Sequence, residues 1–461
     1  MYQIDFTTPI HIHFIGIGGI SMSGLAEILL EEGFTITGSD SKESPLTRHL
    51  EEKGARIYYG QKASNIEAEP GIQVVVYTAA IHPDNPEFKA AKDKNIPMLT
   101  RAELLGELMR NYKESVAVSG THGKTTTTSM VTEILLAAEK DPTISVGGIL
   151  HSIGGNIRVG GPELFVTEAC EYTNSFLSFF PTMEIILNIE ADHLDFFKDL
   201  DDIRHSFRLF AQKLDEKGLL IINRDIKNYE EISGGLPCRV VTFGHSSESD
   251  YSAADITYDT FARPTFNLME QGKKAGTITL GVPGEHNVYN ALAAIATAKA
   301  LGIPDAAIAE GLLHFTGTDR RFEKKGELNG ITIIDDYAHH PQEIAATLKA
   351  AHNYPHKKLW CVFQPHTYTR TKAFLDEFAE ALSAADAVVL ADIYAARETD
   401  TLGISSADIA SRIEKLGTEV HYFPTFEEIE AFLLKNCSTG DLLITMGAGD
   451  IVKVGEKLLN K

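Results

Sequence analysis

SVAVSGTHGKTTTTSM, residues 115–130, is the stretch on which the fold of this chain turns. Val116 to Val118 form an apolar, strand-like run, Gly120 and Gly123 punctuate the turn after it, and Lys124 and Thr125 open an unbroken helix-compatible segment. Strand, glycine turn, Lys-Thr and helix are the parts of a phosphate-binding loop: amides converge on the anion, a lysine spans its outer oxygens and a hydroxyl reaches magnesium. The loop is compact. The usual spacing puts the first glycine five residues before the second, where Val118 stands here, whereas Gly120 is three before Gly123. Gly120, Thr121, His122, Gly123, Lys124, Thr125 and Thr126 are therefore candidate nucleotide-binding residues, with Lys124 on the β- and γ-oxygens and Thr125 on magnesium. The plain alternative is a glycine turn with an unrelated surface lysine. The strand before it and the helix after it weigh against that.

Downstream, LFVTEACE (164–171) is an apolar strand ending in Glu168, where a magnesium-directed acid belongs, with Glu171 as the fallback. IILNIEADHLD (185–195) repeats the pattern and presents Asn188, Glu190, Asp192, His193 and Asp195 beyond a strand's C-terminal end, the crevice in which open α/β sheets bind ligands. Upstream, IHFIGIGGISMSG (12–24) follows the first strand with Gly16 and Gly18 in place for a dinucleotide-type turn, but Ser21 replaces the third glycine. Asp40 ends the next strand, where an acid could take a ribose hydroxyl. These residues alone do not separate a nicotinamide cofactor from a nucleotide-sugar diphosphate. Phe176, Phe179 and Phe180 recur at helical spacing and are expected in the core; His11 and His13 alternate along a strand face.

With 461 residues the chain is long enough for about three domains at roughly 100 to 200 residues each. Apolar strands alternate with amphipathic helices in three blocks, which makes the fold class α/β with parallel sheets. The expected domains are 1–108, 109–318 and 319–461, and the polar stretch TGTDRRFE (316–323) supplies a hinge over 316–320. The net charge of −22, without any Lys/Arg-rich block, repels nucleic acid and anionic lipid over most of the surface. Neither a membrane-length apolar run nor a signal-peptide pattern is evident, and the four cysteines lie far apart, so a cytoplasmic location is expected.

Together these motifs resemble the ATP-dependent Mur ligases of peptidoglycan synthesis, collinearly over essentially the whole chain. The resemblance implies a Rossmann-like N-terminal domain for a UDP-sugar, a central P-loop ATPase domain and a Rossmann-like C-terminal domain for an amino acid. GTHGKTTT is then the family's own form of the ATP loop, and the first glycine run holds the UDP pyrophosphate, so no nicotinamide is needed. Gly16, Gly18, Gly19, Ile20, Ser21, Asp40, Thr78 and Ala79 are implied on the sugar side. Asn287 and Asn290 of GEHNVYNALAA, Arg321 of DRRFE and Asp336 of DDYAHHP are implied around ATP. Tyr337, His339 and His340 would line the reaction crevice, while His366 and Arg370 of FQPHTYTRT receive substrate carboxylates, a task that suits a forked guanidinium. Thr125, Glu168 and His193 are the implied magnesium ligands, and Lys124, His339, His366 and Arg370 the implied catalytic set, with His339 or His366 as the amine's base. Several relatives carry a carbamylated lysine where this chain has Arg208, so that ligand is not carried over.

The histidine in GTHGKTTT and the opening IHFIGIGGISMSGLAE narrow the resemblance to the branch that joins L-alanine to the lactyl carboxylate of UDP-N-acetylmuramate through an acyl phosphate. ATP and Mg2+ are the expected cofactors, with no nucleic acid or membrane partner and a monomeric or homodimeric state. The nearer alternative is a ligase that recycles a tripeptide onto the same sugar; the distant one is an NAD-dependent oxidoreductase.

Overall fold

The computed structural model describes residues 2–78, 80–396, 398–400 and 402–460. Ala79, one of the expected sugar-side residues, lies outside them. Among the described residues the strands assemble into three sheets of five, ten and six strands, each covered by helices.

The first sheet is parallel, in the order Arg56–Tyr59, Thr35–Asp40, His11–Ile15, Val74–Tyr77, Met98–Thr100. Its central strands are buried along nearly their whole length, Val74–Tyr77 as an apolar run and His11–Ile15 with the buried His13 bonded to Thr37. The order reverses between His11–Ile15 and Val74–Tyr77, and the loops leaving those strands, with Gly16 and Thr78, flank the cleft that such a reversal opens. Gly16 has φ +85, and a Cβ there would meet Thr78 Cγ2 at 2.7 Å, so the turn is closed to larger residues.

In the ten-stranded sheet Glu114–Ser119 lies between Met183–Ile186 and Leu164–Glu168, all parallel. The phosphate loop, Glu168 and the segment 187–195 therefore leave three adjacent strands at the same end. Helices Lys124–Ala137, His286–Ala300 and Asp305–His314 share one core with this sheet, where Met130, Ile134, Leu292, Ile295 and Ile308 are fully buried. Each such side chain contributes about 1.5–3 kcal/mol of hydrophobic stabilisation. A second core, containing Phe176, Phe179, Phe207 and Phe210, runs on into the first sheet through Phe165 and Tyr112, whose rings lie 5.0 Å apart. This places Phe176 and Phe179 in the core as expected, whereas Phe180 is half-buried, with Arg110 and Lys213 over its ring at 4.5 and 4.6 Å.

The third sheet runs Glu323–Leu328, Ile331–Asp336, Leu442–Met446, Leu359–Phe363, Ala387–Leu390, Glu419–Tyr422, parallel except for the first strand. That edge strand, and the pair Thr143–Leu150 and Gly155–Arg158 at an edge of the central sheet, were not expected. Their sequences carry glycines or charges, which sheet edges tolerate because only one side must pair. Between the second and third sheets the chain carries positive φ at Gly317, Arg320 and Phe322.

Candidate active site

The phosphate loop is fixed from below by the segment that follows Met183–Ile186. The Asn188 side chain accepts from the His122 amide at 2.8 Å and donates to the His122 carbonyl at 3.1 Å, while the Thr121 hydroxyl accepts from the Glu190 amide. Gly123 has φ +83, and a Cβ there would lie 2.6 Å from Asn290 Oδ1. Asn290 is held in turn by Asn287, and Asn287 by the Pro283 carbonyl. The two expected asparagines thus sit directly against the loop.

Lys124 folds back over the turn and donates to the Gly120 and Thr121 carbonyls and, at 3.2 Å, to Glu171. Burial opposes its charge, but Glu171 and Glu168 outweigh burial and raise its pKa above the lysine value. The three expected magnesium ligands leave neighbouring elements: Thr125 in the first helical turn, Glu168 at a strand end, and His193 in the next strand's loop at φ +52. Glu168 accepts from the Gly147 amide, and the His193 ring stacks on Tyr172 at 4.5 Å. Burial holds the His193 pKa below its ordinary value, leaving the ring neutral and able to ligate. Glu171, the fallback acid, is the carboxylate that lies between Lys124 and His193. Its Oε1 is buried without a hydrogen-bond partner and is 3.9 Å from His193 Nε2. An orphaned buried carboxylate oxygen facing a neutral imidazole is a donor pair suited to a divalent cation. Arg208, at the position of the family's modified lysine, instead donates to the Ile232 carbonyl.

Next to the loop opens a cavity of about 360 Å³ lined by His122, Gly123, Thr126, Asn287, Asn290, Arg321 and Asp336, all expected nucleotide-site residues. Asp336 is buried, its pKa pushed up to about 6 by burial, and both its oxygens accept amides, from Phe322 and Ala338. The cavity also contains Asn223, Asp225, Phe243, His245 and Tyr289, which were not anticipated. His245 and Tyr289 stack at 3.7 Å, a flat apolar wall of the kind an aromatic base occupies. Tyr289 lies inside the GEHNVYNALAA motif between Asn287 and Asn290, whereas His245 comes from a separate loop, so only the folded chain shows the pair.

The C-terminal unit adds the crevice residues. His339 Nδ1 lies 3.0 Å from the Tyr337 carbonyl, to which it can only donate, so Nε2 carries the lone pair. Burial holds the ring neutral, with a pKa lowered to about 4. His366 Nδ1 is 3.3 Å from Arg370 Nη1, which can only donate, so that nitrogen of His366 accepts. The two histidine rings are 5.9 Å apart. Tyr337 is covered by the guanidinium groups of Arg320 and Arg321 at 4.8 and 5.3 Å. Arg370 does not face solvent: it pairs with Asp192 of the central unit at 2.9 Å. Burial would raise the Asp192 carboxyl, but the Arg370 guanidinium and the hydrogen bond from the His193 backbone amide hold it well below the usual carboxylate range.

His122, Glu190 and His340 also bring three ligand-type atoms within 4.8 Å of one another. His340, however, accepts from the Gln342 amide through Nδ1, so its Nε2 carries the proton that faces the Ala191 carbonyl at 3.2 Å. Both nitrogens are committed, and the group is a proton-bonded network.

On the sugar side, the Gly18 amide and the Ser41 amide donate to the two oxygens of Asp40, at 2.8 and 2.7 Å. The acid expected to take a ribose hydroxyl thus braces the glycine turn. Gly19 precedes helix Ile20–Glu31, Ile20 is exposed, and the Ser21 hydroxyl accepts from Arg101 at 3.1 Å. Arg101, at the start of helix Arg101–Met109, was not anticipated.

Three family models match consecutive parts of the chain: "Mur ligase family, catalytic domain" over residues 11–113, "Mur ligase middle domain" over 118–298 and "Mur ligase, glutamate ligase domain" over 320–449. The chain is 66% identical over 460 residues to the UDP-N-acetylmuramate–L-alanine ligase of Lachnospira eligens, covering 100% of both. Among solved structures it is similar to the UDP-N-acetylmuramate-alanine ligase of Thermotoga maritima, with a TM-score of 0.79 and 32% identity over 98% of each chain. The murein peptide ligase of Psychrobacter arcticus is less similar, with a TM-score of 0.68 and 25% identity over 98% of each chain.

Proposed function

The chain belongs to the Mur ligase family, and from that premise we propose that it joins L-alanine to the lactyl carboxylate of UDP-N-acetylmuramate, with ATP cleaved to ADP and phosphate. The observation that carries this most directly is the meeting of Lys124, Glu171 and His193 of the central unit with Arg370 of the C-terminal unit, through Asp192, in one connected set of charged contacts. A tripeptide-recycling ligase is not favoured, since the murein peptide ligase is the more distant of the two solved structures. The units assigned to sugar, ATP and amino acid are 1–108, 109–318 and 319–461, supported by sheets whose strands span 11–100, 114–279 and 323–446.

A carboxylate resists attack by an amine because it is anionic and has no good leaving group; phosphorylation removes both obstacles. Thr125, Glu168 and His193 would hold Mg2+, which neutralises charge on the phosphate oxygens when bound. Lys124 bridges the β- and γ-oxygens as the lactyl carboxylate takes the γ-phosphoryl group in line. Arg321 faces the same nucleotide cavity and adds a further positive charge. Arg370 and His366 orient the carboxylate of L-alanine. The lone pair on His339 Nε2 accepts the proton that the attacking amine releases, and phosphate departs as the amide forms. Closure of the C-terminal unit about 316–320 keeps water from the acyl phosphate. The enzyme works in the cytoplasm as a monomer or homodimer, without nucleic acid or membrane. Among the described residues no helix is long and apolar enough to cross a membrane.

The test is ADP release with magnesium and UDP-N-acetylmuramate while L-alanine, glycine, L-serine or the L-Ala-γ-D-Glu-diamino-acid tripeptide is supplied in turn. Turnover is expected to be strongest with L-alanine. Turnover with the tripeptide alone would overturn the assignment.

A further inference from the structure

Asp192 has no role in the chemistry above, yet it is 6% exposed and joins two units of the molecule. Its Oδ1 accepts from Arg370 Nε at 3.2 Å and Nη2 at 2.9 Å, and from the His193 backbone amide at 2.7 Å. A guanidinium offers two sides on which a carboxylate can be gripped by two N–H groups, Nε with Nη2 and Nη1 with Nη2. Asp192 occupies the first. The second remains on the side where Nη1 approaches His366 Nδ1 at 3.3 Å. Without Asp192, Arg370 could present either side, and a carboxylate could be captured in two orientations with the amine placed differently in each. The same Oδ1 anchors the amide of His193, so the residue that aims Arg370 also braces the loop carrying a candidate metal ligand.

We propose that Asp192 is a positioning residue for the amino-acid site: it holds Arg370 by one side so that the other side, beside His366, meets the carboxylate of the incoming amino acid. The role rests on the alanine-ligase assignment.

The test is a set of steady-state titrations of the full chain in which L-alanine, ATP and UDP-N-acetylmuramate are varied separately for the unmodified protein, Asp192→Asn, Arg370→Lys and the double variant. Asp192→Asn is expected to raise the KM for L-alanine about tenfold, the size of one lost charged hydrogen bond, while the KM for each of the other two substrates stays within about twofold. The double variant is expected to bind alanine no more weakly than Arg370→Lys alone, because the two residues act as one unit. If the Asn variant does not fold, Asp192→Ser, which keeps a short acceptor for the His193 amide, is read by the same criteria. An unchanged alanine KM, equal increases for all three substrates, or additive effects in the double variant would overturn the positioning role while leaving the ligase assignment intact. Absence of L-alanine-dependent turnover in the unmodified protein would instead overturn the assignment itself, and the positioning role with it.

Discussion

His122 of the phosphate loop and Glu343 of helix Pro341–His352 face each other at 3.2 Å, Nδ1 to Oε1, across the gap between the second and third sheets. The other ring nitrogen of His122 reaches Glu190 at 3.1 Å. A carboxylate on each nitrogen calls for a proton on each, so the ring is an imidazolium. Burial opposes that charge, but Glu343 and Glu190 outweigh it and lift the pKa to about 9, while Glu343 is held well below the usual carboxylate range. The glycine-rich loop of the central unit is thereby tied to the C-terminal unit.

That tie has a pH signature. The His122 pKa rises from 6.5 unfolded to about 9 folded, so its stabilisation is fully present below about pH 6.5 and lost as the pH climbs through about 9. His122→Asn should therefore cost about 1–3 kcal/mol near pH 6 and progressively less toward pH 10. Thermal unfolding of both proteins across that range checks it. A difference that widens with pH would contradict the imidazolium.

Lys124→Ala removes the ammonium that meets Glu171 and would span the outer phosphates. ADP formation should fall by about 10³-fold or more, the scale of a lost charge-stabilising group in a buried site, with UDP-N-acetylmuramate binding by calorimetry unchanged within about twofold. Near-native turnover would mean that the compact loop does not hold ATP.

Glu168→Gln keeps the shape of the side chain beside the Gly147 amide but removes its charge. The magnesium concentration for half-maximal activity should rise by about tenfold, in line with losing one anionic ligand. An unchanged requirement, with the increase seen in Glu171→Gln instead, would transfer the metal role to Glu171, whose orphaned oxygen faces His193.

His339 stays neutral down to about pH 4 because it is buried, so its proton acceptance should contribute no acid limb to the L-alanine kcat/KM profile above about pH 5. His339→Gln should lower kcat about 10²-fold without raising the KM for ATP. An acid limb near 6.5 that disappears in the variant would contradict the neutral ring.

The parts legible in the sequence are those carried by contiguous residues. Gly120 to Thr126 read as a phosphate-loop pattern because strand, turn and helix signals adjoin, and the strand Glu114–Ser119 and helix Lys124–Ala137 stand where those signals put them; Glu168 and His193 show as polar residues at the ends of apolar runs. Asn287, Asn290, Arg321 and Asp336 came through the family resemblance, and all four line one cavity with the loop. What stayed hidden depends on packing between elements. Arg101 meets Ser21 from another helix, Asp192 meets Arg370 from another sheet, and His245 stacks on Tyr289 only once the central sheet has folded. Asp40 was seen, but its engagement with the Gly18 and Ser41 amides follows from loop geometry that residue type does not encode. The edge strand Glu323–Leu328 was concealed by its charge and glycine, which an edge accepts and a central strand does not.

The most direct test of the central claim is to supply UDP-N-acetylmuramate labelled with ¹⁸O in the lactyl carboxylate, with ATP, magnesium and L-alanine, and to weigh the phosphate released. Ligation through an acyl phosphate transfers one labelled oxygen to each phosphate formed, because the carboxylate oxygen that attacked phosphorus leaves with it. Phosphate released at the full rate without label would contradict carboxylate activation by this chain.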